Sequence, residues 1–75
     1  MNWRNHITVD AEICHGKACF RGTRVMVSVV LDNLADGVSP AELLVEYPSL
    51  DQFAVPAALA YAADLASERV LAVAR

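Results

Sequence analysis

The chain has 75 residues, a formal charge of −3 and an apolar fraction of 56 %. That length holds one domain, too small for a cleft with a base, an orienting group and an oxyanion hole, and the acidic balance argues against strong phosphate binding by the whole surface. So short a domain is marginal alone, and the apolar excess predicts a second chain over part of its surface.

Charge is unevenly placed. Arg4, Lys17, Arg21 and Arg24 lie in the first 24 positions, and no Lys or Arg follows until Arg69. Asp32, Asp36, Glu42, Glu46, Asp51, Asp64 and Glu68 make the rest acidic. The opening MNWRNHITV lacks the apolar run of a signal peptide. No stretch reaches the ~18 apolar residues that span a bilayer. We therefore expect a cytoplasmic protein, away from membranes, with reduced thiols.

Ile7-Thr8-Val9 alternates as a short strand, and Asp10 to Gly16 is turn-rich. Ala18 to Arg21 and Arg24 to Val27 are further β-favouring pieces. At Ser28, a candidate N-cap, the period changes. Val30, Leu31, Leu34 and Ala35 then share a helical face, with Gly37 placed to end the helix. Ser39-Pro40-Ala41-Glu42 is a capping box with Pro at the first helical position, and Val38 can staple onto Leu43. Pro48 ends this second helix. A third helix is expected from an Asp51 N-cap, with Leu50 and Val55 as a staple and a first turn distorted by Pro56. It continues to Ala74 with a heptad-like seam at Leu59, Ala63, Ala66, Val70 and Val73. The expected organisation is a single domain, 1–75, with a β arm (1–27) and a three-helix body (28–75).

Four groups of residues are candidates for function. Helix two, a short turn and helix three have the plan of a DNA-binding helix-turn-helix, or of a helical hairpin that only closes a core. Of the residues that open helix three, only Gln52 can read a base edge. Lys17, Arg21 and Arg24, around the Gly22 turn, can grip phosphate or pair with Glu12, Asp32 or Asp36. Cys14, His15 and Cys19, with His6 nearby, lack any common zinc-finger spacing, and buried thiols with a loop histidine are the plainer reading. Ala62, Ala63 and Ala66 allow close helix approach, and Leu65, Ala66, Val70, Leu71 and Val73 lie where a small bundle runs out of partners.

Taken together, Cys14-His15-Gly16-Lys17, Arg21-Gly22-Thr23-Arg24, Val27-Ser28-Val29-Val30, Gly37-Val38-Ser39-Pro40, Glu46-Tyr47-Pro48-Ser49-Leu50 and Ala58-Leu59-Ala60-Tyr61-Ala62 resemble domain-of-unknown-function family 433. The resemblance implies a mostly α, homeodomain-like three-helix bundle with a helix-turn-helix after a short β-hairpin arm, often dimeric. It also implies similarity to antitoxins encoded beside PIN-like toxins. Ala18 and Met26 stand where the family usually has proline, and Phe53, Ala54 and Pro56 where it commonly has polar residues.

The expected function is a homodimeric binding module, antitoxin-like or a small transcriptional regulator, and not an enzyme. It needs no cofactor and no metal. Lys17, Arg21, Arg24 and Gln52 are its DNA-contact candidates. Leu65, Ala66, Val70, Leu71 and Val73 are its candidates for meeting a second copy or a PIN-like toxin. The alternatives are a dimerisation scaffold without nucleic-acid binding, and a metal or thiol site at the Cys/His loop.

Overall fold

The computed structural model describes the backbone of residues 1–73 and the side chains of residues 1–67. It is mostly helical, a three-helix body with a two-stranded antiparallel sheet at its N-terminus. The strands β1 (Ile7–Thr8) and β2 (Cys19–Phe20) pair Ile7 with Phe20 and Thr8 with Cys19. Helices α1 (Val27–Ala35), α2 (Pro40–Glu46) and α3 (Ala54–Val73) follow.

Strands of two residues cannot stand in water. They persist because Ile7, Cys19 and Phe20 are buried, Ile7 and Phe20 against the helical core. The N-terminal segment is therefore a layer of the body and not a free arm. The third β-favouring piece contributes only an isolated bridge, from Met26 to Cys19.

The expected Ser28 cap is corrected. The N-cap of α1 is Met26 and carries no side-chain cap. The Val27 amide donates to the Ala18 carbonyl instead, which satisfies it without a polar side chain, and the Val27 side chain is buried. At the other end Gly37 has φ +91. Its amide donates to Leu34 and that of Val38 to Asn33, the paired bonds of a Schellman motif.

In α2 the capping box forms in full. The Glu42 amide donates to Ser39 Oγ (3.2 Å), and the Ser39 amide to Glu42 Oε1 (2.9 Å). The Ser39 amide, and then its hydroxyl, hold the Glu42 carboxyl below the usual carboxylate range. A depressed carboxyl stabilises the fold above its unfolded pKa, and the stabilisation is lost as pH falls through the folded value. Ser39→Ala is expected to cost about 1 kcal/mol in urea unfolding at neutral pH. The gap between the native chain and Glu42→Gln is expected to close on acidification.

Residues 47–53 connect α2 to α3, a longer link than the short turn expected from sequence. Leu50 is buried within it, and Asp51 Oδ1 accepts from the Phe53 amide. Helix α3 thus starts at Ala54 rather than directly after Asp51, which makes Pro56 its third residue. A first-turn N–H has no partner within the helix, so proline removes no bond.

Leu43, Val27 and Val30 form the centre of the core, and Ala54, Ala57 and Ala58 bring α3 against them. The stripe of α3 that faces the body runs Ala54, Ala58, Tyr61, and continues geometrically to Leu65. The expected seam, Leu59, Ala63 and Ala66, is exposed.

Candidate nucleic-acid and partner surfaces

Phe20 to Thr23 form a hydrogen-bonded turn, with the Thr23 amide on the Phe20 carbonyl and Gly22 at φ +81 in the third position, as a type II turn requires. Thr23 Oγ1 fixes it, donating to Phe20 O and accepting from the Val25 amide. Arg21 and Arg24 are held on a defined loop, both exposed.

The Arg21 guanidinium donates to the Arg4 carbonyl (3.1 Å), a main-chain acceptor rather than a carboxylate. The Arg4 guanidinium lies over the Trp3 ring, 4.4 Å from its centroid. Trp3 in turn meets Tyr61 edge-on at 4.9 Å and donates from Nε1 to Asp64 Oδ2 (2.6 Å). The basic loop is thereby linked to α3 through the N-terminal turn. Sequence reasoning did not place Trp3 or Arg4 in any site. The signal was there in the single tryptophan of the chain, a large amphipathic ring that rarely stays unpacked.

The loop also borders a cleft of about 200 Å³ between the N-terminal layer and the α2–α3 link. Phe20, Leu50 and Ala54 line its apolar part, and Asn5, His6, Arg21, Thr23, Ser49 and Asp51 its polar part. His6 stacks on Phe53, with centroids 5.2 Å apart and planes at 22°. Arg21 therefore comes beside the segment that carries Gln52, which is exposed. Lys17 and Arg24 belong to a second neighbourhood, joined through Cys14. The Lys17 amide donates to the Cys14 carbonyl, and Cys14 Sγ donates to the Arg24 carbonyl (3.3 Å). The four DNA-contact candidates thus divide into two pairs.

Cys19 is fully buried, and its Sγ donates to the Thr23 carbonyl (3.5 Å). Burial pushes its thiol up to about 11, and the adjacent Cys14 thiol adds to the shift while Arg24 opposes it. Among the described residues, no three His, Cys, Asp or Glu side chains assemble as metal ligands.

On α3, Leu59 and Leu65 are 53 % and 50 % exposed, and Ala63 and Ala66 are exposed with them. The interface candidates Val70, Leu71 and Val73 lie outside the residues whose side chains are described. Among the described residues, no helix is long and apolar enough to cross a membrane.

A family model described as a protein of unknown function, DUF433, matches residues 7–62. The chain is similar to a DUF433 member protein of known structure from Anabaena variabilis. The identity is 28 %, over 96 % of this chain and 71 % of the other, with a TM-score of 0.77. No curated protein matches the chain. With a family match over most of its length and the same fold in a solved member, the chain belongs to the DUF433 family.

Proposed function

We propose that this chain is a homodimeric binding module of the antitoxin or small-regulator class, acting in the cytoplasm, with α3 as its protein-contact element. The observation that carries the reading is the exposed apolar surface of α3. At about 100° per residue, Ala62, Ala66, Leu59 and Ala63 form one continuous arc, and Leu65, half-exposed, carries the body-facing stripe on past the packed Tyr61. The opposite side packs on the body through Ala54, Ala57 and Ala58. A helix apolar on nearly all sides is stable in water only when covered on nearly all sides. A second copy supplies that cover, and the small residues on the arc let two helices approach closely. The family resemblance adds a PIN-like toxin as the partner class.

DNA is contacted, on this reading, by Lys17, Arg21 and Arg24, with Arg4 beside them and Gln52 across the cleft. Dimerisation doubles the basic layer, which offsets the acidic balance of the single chain. Helices α2 and α3 with their link serve as a helix-turn-helix whose neutral, apolar opening leaves most of the affinity to the basic loop.

A salt titration of binding to the DNA upstream of the gene tests this. Arg21→Ala and Arg24→Ala are each expected to weaken binding about equally for all sequences. Each lowers the slope of log K against log salt by about 1. A dimer with no DNA affinity at low salt supports the second reading, a dimerisation scaffold, which the net charge of −3 favours. A monomer that binds neither DNA nor a neighbouring gene product overturns the proposal.

A further inference from the structure

We propose that Cys14 and Cys19 are a thiol–disulfide exchange pair, which reacts with low-molecular-weight disulfides to form a reversible bond within the chain. They are its only cysteines. Their sulfurs converge on neighbouring acceptors, Cys14 Sγ on the Arg24 carbonyl (3.3 Å) and Cys19 Sγ on the Thr23 carbonyl (3.5 Å). The Cys14 thiol is near enough to Cys19 to add to the upward shift that burial gives the Cys19 thiol.

The backbone is bent to bring them together. Cys14, His15 and Gly16 have φ of +52, +56 and +79. Consecutive left-handed residues other than glycine are unusual, and strain of this kind is kept where the surrounding structure enforces it. Two inert core thiols would need no such turn. The turn folds the chain back so that Cys14, half-buried, lies against Cys19 in β2, which is fully buried.

Exposure sets the order of events. The Cys14 thiolate attacks one sulfur of the small disulfide, and the other half leaves as a thiolate. A mixed disulfide on Cys14 results. The Cys19 thiol, kept protonated at neutral pH by burial, then gives its proton to the departing thiolate and attacks Cys14 Sγ. The second small thiol leaves. Two protein thiols and one small disulfide become one protein disulfide and two small thiols. Both sulfurs lose the hydrogens they donate to Thr23 and Arg24, so oxidation loosens the loop that carries Arg21 and Arg24. In reducing compartments such bonds are transient and redox-sensing.

The test incubates the full-length protein with oxidised glutathione and follows mass, free thiol and non-reducing electrophoresis. The native chain is expected to lose two hydrogens, both free thiols and no monomer, with reversal by dithiothreitol. Cys19→Ala is expected to stop at a glutathione adduct on Cys14. Cys14→Ser is expected to lose free thiol at least about tenfold more slowly than the native chain, since its remaining thiol is buried. A stable glutathione adduct on the native chain, or disulfide-linked dimers in place of the internal bond, overturns the proposal. So does Cys14→Ser reacting as fast as the native chain. The native-chain result stands whether or not either variant folds.

Discussion

Leu43→Ala is expected to lower the unfolding free energy by about 2–5 kcal/mol. Leu43 is fully buried and, among the described residues, is the largest side chain enclosed to that degree. It is the single buried residue of the seven-residue α2, so its loss removes the contact that seats that helix. A domain of this length has about 4–11 kcal/mol of stability in total, at roughly 0.05–0.15 kcal/mol per residue. The substitution thus consumes a large share of it. Val45, on the same helix, is 82 % exposed, and Val45→Ala is expected to stay within about 0.5 kcal/mol. Urea unfolding of both variants at one fixed protomer concentration, which matters for a dimer, makes the comparison. A loss below about 1 kcal/mol for Leu43→Ala would show that α2 is not held by the core.

Leu65→Glu is expected to weaken self-association at least about 100-fold, or about 2.7 kcal/mol. A carboxylate placed in an apolar interface must lose water without a partner. Leu65 is half-exposed in the single chain, so the same change leaves the fold of the protomer intact. Sedimentation velocity across a concentration series reads the association, and circular dichroism reads the fold. A native chain that stays monomeric at high micromolar concentration, or a Leu65→Glu dimer of unchanged affinity, would falsify the α3 dimer.

Local signals were the legible part of this fold. The capping box at Ser39 and Glu42, the left-handed Gly37 and the stop at Pro48 each act within a few residues, and sequence reasoning placed them correctly. Its errors came where a distant group decided the outcome. The start of α1 moved from Ser28 because the carbonyl of Ala18, on another segment, takes the Val27 amide. The start of α3 moved because the Asp51 side chain closes a turn of its own before the helix begins. On α3 the seam of Leu59, Ala63 and Ala66 is exposed in the single chain, and a different stripe, through Ala54, Ala58 and Tyr61, packs on the body, because Ala is apolar on any face. Period alone did not distinguish Leu59, Ala63 and Ala66 from the stripe that packs.

The candidate site was legible as a list of residues and not as an arrangement. Arg21, Arg24 and Lys17 were visible as a basic run. The Arg21–Arg4–Trp3 link and the stacking of His6 on Phe53 join segments far apart in the chain, and no local pattern encodes them. Composition was the better guide at the other end. The apolar excess pointed to uncovered surface, and α3 carries part of it at Leu59 and Leu65, beside Val45 on α2 and Phe53 in the link.

The Trp3–Asp64 hydrogen bond spans a sequence separation of 61 residues. On the ribosome, Trp3 is made 61 residues ahead of its acceptor Asp64, and ahead of the Tyr61 ring as well. The helices can form from local contacts in the meantime, since short-range structure closes fastest. The Trp3 contacts of the N-terminal layer are then completed only once α3 has formed. Until α3 is out, the Trp3 ring lacks both of these partners, and the growing chain carries it without them over that interval.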